Sequence, residues 1–218
     1  MKPDWKRIIG TLEKWRECLE DPSVTTVAEK YQRSPWAVLV STIISLRTKD
    51  EVTLTAAQRL LKEAPGPVEL LGLSEERIGK LIYPAGFYRT KAANLRKIAD
   101  ILLEKHRGQV PADMEALLEL PGAGRKTANL VLVEAFDMAG LCVDTHVHRI
   151  SNRAGWVRTK TPEETETALR ERLPPQFWKP INPLLVLYGQ RLCRPASPWC
   201  SRCVIEKHCS RTGVERSR

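Results

Sequence analysis

The sequence predicts an all-α fold, and three observations carry that prediction. Apolar residues recur at helical spacing, helix-start signals repeat along the 218 residues, and sustained period-two strand patterns are scarce. An amphipathic opening helix is expected from about Trp5 to Leu19, with Ile8, Leu12, Trp15 and Leu19 on one stripe. Ser34-Pro35 supplies a cap and a first-position proline for a second helix, whose Trp36, Leu39 and Ile43 have core spacing. Asp50 to Leu61 reads as a further helix, closed by Pro65-Gly66-Pro67, and Ser74 caps a short one before Pro84-Ala85-Gly86. Arg89 to His106 reads as a long basic-faced helix ending at Gly108.

A short helix from Ala112 to Leu120 meets Pro121-Gly122-Ala123-Gly124, and an apolar helix runs from Thr127 to about Phe136. Thr145 to Arg153 reads as another. Thr161-Pro162-Glu163-Glu164 starts a helix through Leu169 with a hydroxyl cap and an early proline, and a last helix spans Pro183 to Leu192. About ten helices with short connections result. No tandem repeat or low-complexity stretch interrupts them. Ser210 to Arg218 is polar and is expected to fray, and the cysteine-rich segment after Leu192 is too small to fold alone.

Lys and Arg number 35 against 26 Asp and Glu, a net charge of +9. Such a surface attracts polyanions, nucleic acid or anionic membrane, without choosing between them. The opening residues carry no secretory signal. The longest apolar runs, Trp36 to Val40 and Leu130 to Val133, are too short to span a bilayer. No membrane association is expected, and a cytoplasmic, nucleoid-associated location is the default. In that reducing setting six cysteines favour metal ligation over disulfides.

Four of them, Cys193, Cys200, Cys203 and Cys209, form C-x6-C-x2-C-x5-C. Four soft thiolates so close in sequence select zinc or iron–sulfur, and spacing alone leaves the two comparable. Arg194, Arg202 and Lys207 lie between them and offset their charge. Cys18 and Cys142 read as buried free thiols.

Leu120 to Thr127 joins two helices through a tight glycine turn. Glycines permit close approach, and the new helix start offers backbone N–H groups to an anion. A DNA phosphate could be held there without reading the base. The segment is not a nucleotide-triphosphate loop, because Arg125 rather than glycine precedes Lys126. A purely structural hairpin is the alternative, disfavoured by the Arg125-Lys126 pair and the +9 charge.

Lys126 sits near the positive end of that helix, next to Arg125, and both features disfavour its ammonium form and favour a more nucleophilic amine. A primary amine can attack C1′ of a damaged nucleoside, expel the base and leave an imine, whose acidified C2′ proton permits β-elimination of the 3′ phosphate. Such chemistry needs a carboxylate to support charge or relay protons. Asp144, 18 residues downstream, is the candidate, although it is also a good N-cap before Thr145-His146-Val147.

Several stretches together resemble the endonuclease III family: Leu120 to Leu132, Val143-Asp144-Thr145-His146-Val147-His148-Arg149 and the cysteine spacing. Ser34-Pro35-Trp36, Ser45 to Asp50, Gly86-Phe87-Tyr88 and Lys91-Ala92 add to the likeness, which covers about residues 5 to 209. The resemblance implies a bifunctional DNA glycosylase/AP lyase of the helix–hairpin–helix superfamily, acting on oxidised pyrimidines in duplex DNA. It implies two helical domains flanking a DNA-binding cleft: residues 28–138 with the hairpin, and 1–27 plus 139–218 with a four-iron, four-sulfur cluster. Cys193, Cys200, Cys203 and Cys209 match the cluster ligands, Lys126 the nucleophile and Asp144 the catalytic aspartate. The implied DNA-binding set is Arg47, Leu120, Gly122, Gly124, Arg125, Thr127, His146, Arg149 and Arg191. Damaged double-stranded DNA is the expected partner, its damaged base flipped out of the stack, and a monomer the expected state.

One departure stands in Ser45 to Asp50, where Arg47 occupies a position that holds glutamine in many bacterial relatives. Arginine can stack and bind an orphan base or phosphate, which leaves opposite-base preference open. Two other readings compete. A mismatch glycosylase of the same superfamily is disfavoured in its adenine-specific form, since Lys126 is present and Thr42 stands where that branch carries glutamate. A non-catalytic hairpin DNA-binding protein leaves the pairing of Lys126 with Asp144 unexplained.

Overall fold

The structure, a computed structural model, describes residues 3–17, 19 and 21–218. Among the described residues it has twelve α-helices, three 3₁₀ turns and no strand. Cys18 lies outside them. The chain divides into a continuous unit, Pro22–Met138, and a discontinuous one, Met1–Asp21 with Ala139–Arg218.

Helix α1 (Trp5–Arg16) belongs to the discontinuous unit, and the next eight helices build the continuous one. These are α2 (Ser23–Lys30), α3 (Pro35–Ser45), α4 (Asp50–Glu63), α5 (Pro67–Leu71), α6 (Glu75–Ile82), α7 (Tyr88–His106), α8 (Met114–Leu118) and α9 (Arg125–Phe136). Helix α3 is their centre. Ser34 Oγ accepts Ala37 N at 3.4 Å, Pro35 takes the first turn, and every residue from Trp36 to Ile44 is buried. A helix apolar on all sides must be wrapped, and α2, α4, α7 and α9 pack on it. Helix α7 buries Lys91, Leu95, Ile98 and Leu102 on one stripe. It ends where Arg107 and Gly108 turn to positive φ and Gly108 N donates to Leu102 O at 2.8 Å.

Helices α2 and α5 have no counterpart in the sequence reading. Val24-Thr25-Thr26-Val27 is β-branched and Pro22 offers no side-chain cap, so local propensity for α2 is weak. Burial of Val24, Val27 and Ala28 against α3 and α4 supplies what propensity lacks. The helix therefore belongs to the continuous unit, which begins at Pro22 and not at residue 28.

The discontinuous unit adds α10 (Thr145–Arg153), α11 (Pro162–Arg172) and α12 (Trp178–Arg191), with 3₁₀ turns at Pro175–Phe177, Cys200–Arg202 and Glu206–His208. Helix α12 packs on α1 and α10. Ile8, Leu12, Val147, Ile150, Leu184 and Tyr188 belong to one buried cluster, against which Cys193, Cys203 and Cys209 pack. The cysteine segment thus uses other helices as its floor.

Three local expectations are corrected here. Helix α1 stops at Arg16, where Leu19 N turns back to Arg16 O at 2.7 Å, so Leu19 falls off the stripe. Helix α12 begins at Trp178, ahead of Pro183. Pro180 lies in the first turn, where no intrahelical N–H bond is lost, and Pro183 is accommodated inside the helix. Ser210 to Arg218 does not fray: Ser210 N donates to Ala154 O at 3.1 Å, Thr212 N to Arg153 O at 2.9 Å and Arg218 N to Pro198 O at 2.8 Å.

Candidate functional site

The glycine turn between α8 and α9 is held by Ala123 N, which donates to Leu120 O at 3.0 Å. Gly122 has φ +80°, and a Cβ there would stand 2.8 Å from Asn94 Nδ2. The positive φ strains any side chain there, and the Asn94 amide would have to move aside to admit one. Gly122→Ala is expected to lower stability by about 1–3 kcal/mol, seen as a drop in the thermal midpoint, and to weaken duplex binding. Gly124 is the N-cap of α9 and contributes no side-chain cap, so the helix start presents backbone donors at an exposed turn.

Arg125 is exposed and Lys126 half-buried in the first turn that follows. Leu120 and Thr127 have buried side chains, 2% and 1% exposed, so any contact they make with an outside partner runs through backbone. Thr127, Leu130, Val131 and Val133 are buried along α9, which anchors the turn to the core. A stiff helix thereby carries Lys126 at its tip.

Asp144 opens α10. Its Oδ1 accepts His146 N and Val147 N, both at 2.9 Å, and the residue is 7% exposed. His146 Nδ1 faces Arg149 Nη2 at 3.1 Å. Since a guanidinium only donates, Nδ1 is the acceptor. The same guanidinium donates to Gly189 O at 3.2 Å, and its Nε and Nη2 donate to Cys193 O at 3.2 and 2.9 Å. Burial pulls its pKa below the usual range, with Cys193 opposing. Arg149 therefore stitches α10 to α12 and the first cysteine. Gly189 makes this possible, because a Cβ would collide with His146 Nδ1 and Arg149 Nη2. Arg191, at the end of α12, is exposed.

Cys193, Cys200, Cys203 and Cys209 are in no disulfide and line one cavity, shared with Tyr188, Trp199 and Val214. Donors point at three of the sulfurs. Tyr188 Oη donates to Cys203 Sγ at 3.1 Å, Arg153 Nη1 to Cys193 Sγ at 3.3 Å and Arg211 N to Cys209 Sγ at 3.4 Å. Such donors suit sulfurs that carry charge. Burial pushes the Cys203 and Cys209 thiols up, so ionising them calls for a compensating cation. Among the described residues, no group of three or more His, Cys, Asp or Glu is arranged to hold a single metal ion. Cys142 is buried, as read from sequence.

Arg47 is exposed at φ +54°, its guanidinium 4.7 Å over the Phe87 ring, and Phe87 is 59% exposed at φ +56°. Sequence reasoning gave Phe87, Lys91, Arg153 and Tyr188 no roles. A signal existed for one of them: Lys91 falls on the apolar stripe of α7, where a cation needs a reason.

Residues 40–175 match the HhH-GPD superfamily of base excision DNA repair proteins, and the chain belongs to that family. Within it, the chain is 49% identical over 178 residues to Endonuclease III of Thermotoga maritima, covering 82% of this chain and 84% of that one. It is 44% identical over 191 residues to the chloroplastic Endonuclease III homolog 1 of Arabidopsis thaliana, covering 84% of this chain and spanning only 50% of the plant protein. Its fold is similar to that of a trapped Endonuclease III–DNA covalent intermediate, with TM-score 0.77 and 29% identity over 92% of this chain and 96% of the other.

Proposed function

We propose that this base excision repair enzyme, a DNA glycosylase/AP lyase, removes oxidised pyrimidines from duplex DNA through an imine on Lys126. The observation that carries the assignment is the position of Lys126 in the first turn of α9, directly after a glycine turn whose N-cap offers no side chain. Backbone donors there suit a phosphate, and the amine beside them suits a sugar carbon. The neutral amine bonds to C1′ as the bond to the base breaks, and the base leaves with the electron pair and gains a proton. The added nitrogen then gives up a proton and the C1′–O4′ bond opens, O4′ taking a proton, to leave the protonated imine. Loss of the C2′ proton then expels the 3′ phosphate, and water hydrolyses the imine to restore the lysine. The Asp144 carboxylate supports the positive charge at the sugar or relays protons.

Arg47, Arg125, Arg191 and the backbone of Leu120 to Thr127 form the proposed DNA contacts, with His146 beside Asp144. Arg149 acts behind them through its carbonyl contacts. The damaged duplex is the partner and a monomer the working state. No helix among the described residues is long and apolar enough to cross a membrane, and we place the enzyme in the cytoplasm with the nucleoid.

The four cysteines would hold a four-iron, four-sulfur cluster, which anchors its loop and takes no part in the reaction. The four soft sulfur ligands line one cavity, and donors from Tyr188, Arg153 and the Arg211 backbone reach three of them, which suits thiolates of such a cluster. Cys203→Ser is expected to lose the visible absorbance of the cluster and lower the thermal midpoint, whereas Cys142→Ala keeps the absorbance. Equal absorbance in both variants contradicts the ligand assignment. The reaction itself is tested by borohydride trapping on duplex DNA with one thymine glycol. Covalent capture with strand cleavage is expected, and neither appearing despite duplex binding overturns the substrate.

A further inference from the structure

Lys91 is a buried cation that the proposed chemistry does not use. It is 5% exposed, and its Nζ donates to Ile44 O and Leu46 O, each at 2.6 Å, and to Thr48 Oγ1 at 2.8 Å. The two carbonyls lie at the C-terminal end of α3, where helix carbonyls lack intrahelical partners. Thr48 Oγ1 also accepts Gly86 N at 3.0 Å. Gly86 is packed so tightly that a Cβ would stand 2.5 Å from Arg47 O. One ammonium thus joins the end of α3, the 46–48 loop and, through Thr48, the loop that leads into α7.

The outward face of this assembly is Arg47 and Phe87. Both take the left-handed region as non-glycine residues, and their side chains stack at 4.7 Å. Left-handed φ at such residues persists only where surroundings impose it. The two carbonyls can only accept, and a charged lysine supplies a donor to each of them and a third to the Thr48 hydroxyl. Burial lowers its pKa to about 8, so this charge is held at the cost of desolvation.

We propose that Lys91 is a positioning residue for DNA binding: its ammonium fixes the Arg47–Phe87 pair in the geometry that engages the damaged duplex. The proposal rests on the reading of Arg47 as a DNA contact.

A double-mutant cycle tests it, with every protein also carrying Lys126→Ala so that bound duplex is not cleaved. Affinity for a duplex containing one thymine glycol is measured for the parent, Lys91→Met, Arg47→Ala and the combination. Each single change is expected to weaken binding about tenfold, and the combination about as much as Arg47→Ala alone. Multiplying losses, about a hundredfold together, would mean that Lys91 acts elsewhere and would overturn the proposal. Should Lys91→Met fail to fold, Thr48→Val removes the bridging hydroxyl and is expected to show the same non-additivity with about a threefold loss. Unchanged binding in Arg47→Ala overturns the proposal together with the Arg47 contact. Borohydride capture by the enzyme with Lys126 intact then decides separately whether the proposed reaction stands.

Discussion

Lys126→Ala is expected to abolish borohydride capture and to slow strand cleavage at an abasic site by at least about 10³-fold, while affinity for the damaged duplex stays within about threefold. The separation follows from how α9 is built. The buried face formed by Thr127, Leu130, Val131 and Val133 fixes the helix, and Gly122 at φ +80° shapes the turn before it. Truncating Lys126 is expected to remove the amine while the buried face of α9 keeps the helix start and its backbone donors in place. Capture depends on a covalent bond to that amine, so it has no partial value in the variant. If the variant still cleaved and was still trapped, another amine would be the nucleophile, and the role of the glycine turn would shrink to gripping phosphate.

Where caps are side chains, the sequence showed helix starts well. Ser34, Asp144 and Thr161 each accept a hydrogen bond from the first turn of the helix they open, and α10 spans Thr145–Arg153 as read. Helices that owe their existence to packing were not visible. Helix α2 has a β-branched sequence and no side-chain cap, and it forms because α3 and α4 need its apolar face covered. The same division runs through the site. The place of Lys126 beside a helix start could be read because a glycine turn and a helix start are local. The carbonyl partners of Arg149 could not, because those of Gly189 and Cys193 reach it from helix α12 and the loop behind. Lys91 shows the remedy, since a cation on a helical apolar stripe is a readable contradiction even when its acceptors are not.

Asp144→Asn and Asp144→Ala are expected to separate capping from catalysis. Oδ1 of Asp144 accepts His146 N and Val147 N at 2.9 Å, which is capping geometry that an asparagine side-chain oxygen can reproduce. The asparagine variant keeps the cap and loses the carboxylate charge, which contributes about 0.3–1 kcal/mol at the start of α10 and also acts on Arg149, and its thermal midpoint should move little. Alanine loses the cap, about 0.5–2 kcal/mol, and should unfold at visibly lower temperature. Base excision follows a different order, because neither amide nor methyl carries the negative charge that stabilises a cationic sugar. Single-turnover excision of thymine glycol should fall about 10²- to 10⁴-fold in both. Activity tracking stability, with asparagine near wild type and alanine poor, would reduce Asp144 to a helix cap. The expected pattern is equal loss of excision with unequal loss of stability, because one oxygen suffices for the cap and the reaction needs the charge.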